Sequence, residues 1–143
     1  MTVDVPGGRL TLDAAFVDAD ADDIRRQVRE YREGTRTSFD LPVRHPDGFT
    51  GRVMGAMATI PYGETRTYAD LARDLNSAPQ AVGAACGRNP VPLVVPCHRV
   101  VAADGIGGFS AVGGPDLKRR LLDHERTDSV QTTLTAADGD SES

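Results

Sequence analysis

The 143-residue chain reads as an α+β protein: a small N-terminal α/β cap followed by a mainly helical domain with a helix-turn-helix. Apolar residues recur at three- and four-residue spacing through most of residues 22–125, which is the helical period. Looser alternation is confined to the first quarter of the chain. At this length the chain can bury one sound core, or one core with a small appendage.

Residues 9–17 alternate loosely enough to predict a strand. Residues 22–33 predict a helix, with Asp22 and Asp23 in its first turn and Ile24, Val28 and Tyr31 spaced by four and three. Gly34 stops that helix, and residues 38–43 predict a short extended piece before the turn His45-Pro46-Asp47-Gly48. Residues 1–48 are too little for a confident independent domain and read as a cap packed on the rest of the chain.

In the body, residues 49–126, Phe49, Val53, Met54 and Met57 share one helix face, and the helix ends before Ile60-Pro61-Tyr62-Gly63. Thr67 is a good N-cap for a helix starting at Tyr68, with Leu71, Ala72 and Leu75 inward. After Asn76-Ser77-Ala78, Pro79 can serve as a first helical residue, which can spare its N–H. Residues 80–88 are small: Ala81, Val82, Gly83, Ala84, Ala85 and Gly87. A helix, a tight turn and a second helix poor in bulk suit close approach to duplex DNA. Tight helix packing inside an ordinary protein needs the same residues. Asn89-Pro90 ends this helix, and residues 91–95 predict a buried strand. Residues 104–110 form a glycine-rich loop suited to wall or cover a small pocket. Residues 116–125 return to helix, with Leu117, Leu121 and Leu122 inward and Lys118, Arg119 and Arg120 outward. Residues 127–143, polar and acidic without period, predict a disordered tail.

Two cysteines eleven residues apart, Cys86 and Cys97, make neither a disulfide framework nor a four-ligand zinc site, and three histidines offer no obvious structural metal site. No metal or cofactor is expected. No apolar stretch is long enough to cross a bilayer, and residues 1–20 lack a signal-peptide pattern. The expectation is a soluble, cytoplasmic monomer (nuclear in a eukaryote) with no membrane partner. The net charge of −5 divides as −3 over residues 1–48, +2 over 49–126 and −4 over 127–143. The middle segment could face a phosphate backbone.

The most informative stretch is Pro96-Cys97-His98-Arg99, reached through Val91-Pro92-Leu93-Val94-Val95. A free thiol titrates near about 8.5, so it needs a base or a cation to become a nucleophile at neutral pH. His98 and Arg99 are groups of that kind. Residues 89–101, with Ile60-Pro61-Tyr62-Gly63-Glu64, Thr67-Tyr68-Ala69-Asp70-Leu71-Ala72, Ala81-Val82-Gly83, Gly108-Phe109-Ser110 and residues 118–125, resemble the O6-alkylguanine-DNA alkyltransferases, which are suicide repair proteins. The resemblance covers roughly residues 49–125. It implies a winged-helix-like C-terminal domain and an N-terminal domain shortened here.

The resemblance further implies that the Cys97 thiolate attacks the alkyl carbon on O6 of guanine (possibly O4 of thymine) in double-stranded DNA. It would keep that carbon as a thioether, so each molecule acts once. Relatives relay the thiol proton through a water to His98, which Glu125 orients. The lesion is inaccessible in a stacked duplex and must be swung out. Tyr68 would help rotate the nucleotide, and Asn89 would lock the junction between helix and strand. Backbone groups from Val100 to Asp104, with Phe109 and Ser110, would line the guanine pocket. Gln80, Ala81, Gly83, Ala84, Arg88 and Arg99 would meet DNA, the small residues in the minor groove. Relatives generally carry arginine where Gln80 stands and often tyrosine where Phe109 stands. The expectation is therefore retained chemistry with weaker DNA engagement. Rival readings are a lesion-binding module without transfer, which an intact Pro-Cys-His-Arg argues against, and a cysteine hydrolase acting on an acyl group.

Overall fold

The computed structural model describes the backbone of residues 1–107 and 114–138 and the side chains of residues 1–107 and 114–126. The chain opens with an antiparallel hairpin of β1 (Thr2–Val5) and β2 (Gly8–Thr11), in register Val3 with Leu10 and Val5 with Gly8. Pro6 and Gly7 form its two-residue turn, where Gly7 at φ +88° occupies a left-handed region that a Cβ would strain. A Cβ there would also run into the Arg120 side chain at 2.3 Å. The sequence predicts a single strand over residues 9–17. The strand in fact ends at Thr11, because Asp13 accepts the Ala15 N–H and caps a 3-10 turn over Ala14–Phe16. The Pro-Gly dipeptide was the available signal for the hairpin.

Helix α1 (Ala21–Arg32) starts where Asp20 accepts the Asp23 N–H at 2.8 Å, and it buries Ile24, Val28 and Tyr31 as spaced. Residues 38–43 form no strand beyond a bridge of Val43 with Val17. Helix α2 (Phe49–Met57) buries Val53, Met54 and Met57. A two-residue strand β3 (Arg66–Thr67) leads into α3 (Tyr68–Asp74) through a full capping box, Thr67 with Asp70. Helix α4 (Pro79–Gly87) has proline in its first turn and packs on α3 and α2. These are the helix-turn-helix elements the sequence predicts.

Residues 91–95 are not a strand. Pro92 and Pro96 remove ladder donors, the Val95 N–H returns to the Val91 carbonyl at 3.0 Å, and Leu93 sits at φ +77°. The run is apolar because Val91, Leu93 and Val95 are buried, not because it pairs. After the 3-10 turn Cys97–Arg99 comes β4 (Val100–Val101), which pairs in parallel with β3, Arg66 opposite Val100 and Thr67 opposite Val101. Helix α5 spans Gly114–Asp138. The sequence expected its end near Glu125 and an unstructured tail beyond. The backbone instead stays helical to Asp138, since no glycine or proline separates Pro115 from Gly139.

Buried residues of the cap and of the body join in one hydrophobic cluster. The Asp13 N–H donates to the Pro90 carbonyl at 2.8 Å, and His124 Nε2 lies 2.9 Å from the Tyr31 carbonyl. Among the described residues, no helix is long and apolar enough to cross a membrane.

Candidate active site

Cys97 opens the 3-10 turn and is only 6% exposed. Asn89 holds the preceding loop closed: its Nδ2 donates to the Val95 carbonyl at 2.9 Å and its Oδ1 accepts the Val91 N–H at 3.0 Å. Burial pushes the Cys97 thiol up, while the Asn89 side-chain hydrogen bond and the Lys118 charge pull the other way. The resting group is therefore a thiol that needs a base.

His98 supplies one. It is fully buried, and its Nε2 lies 2.7 Å from Glu125 Oε2. An ionised carboxylate only accepts, which assigns the ring proton to Nε2 and leaves Nδ1 with a lone pair. That Nδ1 is buried and has no hydrogen-bond partner in the protein. A buried acceptor with no protein partner is a place for a water or a substrate group. Burial draws His98 below the ordinary imidazole range, and the Glu125 hydrogen bond opposes that.

Glu125 collects further donors. Arg99 grips it bidentately, Nε to Oε1 at 2.8 Å and Nη2 to Oε2 at 3.0 Å. The Tyr31 hydroxyl donates to Oε2 at 2.6 Å, and the Gly63 N–H approaches Oε1 at 3.3 Å. Burial works to raise this carboxyl, but the hydrogen bonds and charges of His98 and Arg99 hold it well below the usual carboxylate range. Arg99 is itself 7% exposed, and its Nη1 donates to the Ile60 carbonyl at 2.7 Å. This corrects two expectations for Arg99. Its guanidinium is committed to Glu125 and Ile60, so it neither faces DNA nor assists the thiol directly.

Lys118 also departs from expectation. Expected outward, it is fully buried, with Nζ donating to the Tyr68 hydroxyl at 3.2 Å and lying 5.4 Å from the Tyr68 ring centre. Burial lowers its ammonium, whereas Cys97 and Cys86 raise it. Tyr68, first residue of α3, is half-buried, and burial followed by the two thiols pushes its hydroxyl up to about 12. Gly107 lies against this ring at φ +76°, and a Cβ there would come within 3.0 Å of Tyr68 Cε2. The β3–β4 ladder ties the start of α3 to the segment after Cys97.

On α4, Gln80, Ala84 and the C-cap Arg88 are exposed along one face, with Ala81 and Gly83 half-exposed beside them. Val82 and Ala85 are buried. Val100 has a fully buried side chain, and its N–H donates to the Cys97 carbonyl. Phe109 and Ser110 lie outside the described residues. The structure thus brings Cys97, His98, Glu125, Asn89 and Tyr68 around one centre and sets the α4 residues on an outer face. Sequence reasoning missed Lys118 and Tyr31 as members of that centre. A signal existed for Lys118: it stands three, four and seven residues before Leu121, Leu122 and Glu125, on the inward stripe. Tyr31 gave none, since a core tyrosine at helical spacing looks the same.

A buried thiol next to a buried imidazole–carboxylate pair, in a chain with a helix-turn-helix, points to the class of DNA-associated cysteine proteins. Residues 48–127 match the family model described as 6-O-methylguanine DNA methyltransferase, DNA binding domain. The chain therefore belongs to the 6-O-methylguanine DNA methyltransferase family. The methylated-DNA–protein-cysteine methyltransferase of Archaeoglobus fulgidus is 45% identical over 102 residues, covering 68% of this chain and 69% of that protein. That of Mycobacterium bovis is 44% identical over 106 residues, covering 71% of this chain and 62% of that protein. The crystal structure of Mycobacterium tuberculosis OGT in complex with DNA superposes with a TM-score of 0.76 at 34% identity, over 89% of this chain and 92% of that one.

Proposed function

We propose that this protein repairs alkylated DNA in the cytoplasm by moving the alkyl group from O6 of guanine to Cys97, once per molecule. The observation that carries the reading is the buried His98–Glu125 pair next in sequence to Cys97, with His98 Nδ1 buried and without a protein partner. The Cys97 proton passes through one water to Nδ1, and the charge formed on the imidazole is balanced by Glu125. The new bond joins sulfur to the alkyl carbon, and the bond from that carbon to O6 breaks. Guanine leaves with the electron pair and is reprotonated. A thioether has no acid–base route back to thiol, so turnover ends there. Lys118 favours the thiolate electrostatically.

The substrate is double-stranded DNA with the damaged base rotated out of the stack. The exposed face of α4, carrying Gln80, Ala84 and Arg88 beside Ala81 and Gly83, would enter the minor groove. Tyr68 and the backbone at Val100, with Phe109 and Ser110, would receive the base. Incubation with a duplex carrying labelled methyl on guanine O6 tests the reading. The expected result is label on the protein, at one equivalent or less per chain, and a mass gain of one methylene mapping to Cys97. Binding without transfer would support a lesion-recognition module, and repeated turnover on an ester would support a hydrolase.

A further inference from the structure

We propose that Tyr31, in helix α1 of the N-terminal cap, is a positioning residue of the relay: its hydroxyl fixes the carboxylate oxygen of Glu125 on which His98 leans. This rests on the proposed relay of Cys97, His98 and Glu125. Glu125 Oε2 receives Tyr31 Oη at 2.6 Å, His98 Nε2 at 2.7 Å and Arg99 Nη2 at 3.0 Å. The Tyr31 bond is among the shortest contacts to the carboxylate, and it reaches across 94 residues of chain.

Tyr31 is held as a rigid donor. It is fully buried, with Phe39, Tyr62 and His124 rings at 5.6, 6.0 and 5.0 Å. Its carbonyl lies against His124 Nε2. Burial and the neighbouring carboxylate push its hydroxyl well above the ordinary phenol range, so it donates and does not ionise. A donor fixed on Oε2 does two things. It prevents the carboxylate from rotating away from His98, and it takes up part of the negative charge His98 would otherwise feel. With Arg99 still holding both oxygens in place, its removal concentrates that charge on the imidazole and raises its basicity. The titratable and charged groups around the relay are Tyr31 from α1, Tyr62 from the loop after α2, Cys97, His98 and Arg99 from the 3-10 turn, and Lys118, His124 and Glu125 from α5. Of these, His98, Arg99 and Tyr31 bond Glu125 directly.

The test compares wild type, Tyr31→Phe and Phe39→Leu. Methyl-transfer rates on O6-methylguanine duplex are measured from pH 5 to 9 at one salt concentration, and the His98 titration is followed by imidazole 15N shifts. Tyr31→Phe is expected to lower the neutral-pH rate roughly tenfold. The acid limb and the His98 midpoint are expected to move up by about half a pH unit or more. Phe39→Leu loosens the same packing without touching Glu125 and is expected to leave both midpoints in place. A Tyr31→Phe protein with wild-type rate and midpoint overturns the proposal, as does a shift of equal size in Phe39→Leu. If wild type transfers no methyl, the functional reading fails, and the 15N titration still decides whether Tyr31 tunes His98. Should Tyr31→Phe not fold, the wild-type protein decides: a slowly exchanging, downfield Tyr31 hydroxyl proton that moves with the His98 titration supports the role, and its absence overturns it.

Discussion

Around Glu125, side chains from α1, the 3-10 turn and α5 converge with almost no solvent. Along α4, by contrast, Gln80, Ala84 and Arg88 face outward and only Val82 and Ala85 are buried. The first region gains its properties from hydrogen bonds in a poorly solvated setting, where each partner depends on the others. The second gains its properties from what it lacks, namely bulk. Loss of a partner should therefore be severe in the relay, and substitutions on α4 should be graded.

The largest expected effect is at Cys97. Cys97→Ala should abolish transfer while leaving the dissociation constant for duplex DNA unchanged, measured by label transfer and by anisotropy at matched salt. Residual transfer would point to another nucleophile. Cys86 is a poor one, since burial and then Cys97 push its thiol up to about 12. Next comes Glu125→Ala, which leaves Arg99 buried and uncompensated. A loss of about 3–5 kcal/mol in urea-unfolding stability is expected, together with transfer near background. A variant of wild-type stability would mean that the buried ion pair matters little.

A third test uses pH. His98 and Glu125 both have depressed values in the folded state. The unfolded chain therefore binds their protons first as pH falls, and stability drops. The decline should begin as pH passes below about 6.5 through His98 and continue below about 4.3 through Glu125. Glu125→Gln should flatten the second part of the urea-midpoint curve, and an unchanged curve would remove Glu125 as its source. The smallest effect is expected on α4. Gln80→Arg should tighten duplex binding by about tenfold at low salt and steepen its salt dependence. An unchanged affinity would show that this position does not meet the DNA.

The same contrast explains what could be read in advance. The helix-turn-helix was legible because its determinants are local: the Thr67–Asp70 capping box, Pro79 in the first turn and the small residues after it. The proposed nucleophile and base stand out in the sequence because Cys97 and His98 are adjacent in a specific motif. Partners joined by the fold were harder. Arg99 sits in the motif, yet whether it points at DNA or at Glu125 depends on α5, 26 residues on. Lys118 was on the inward stripe of α5, but a lysine is normally assigned to solvent. Residues 91–95 misled because burial and strand pairing write the same apolar run. The hairpin of β1 and β2 is hard to read for a similar reason, its alternation being short and its turn signal a single Pro6-Gly7 dipeptide.

The tie between Tyr31 and Glu125 also bears on how the protein comes to maturity. The carboxylate acquires all of its donors only once an early helix and a late one have docked, so a chain that is still growing carries its sulfur without a finished partner set.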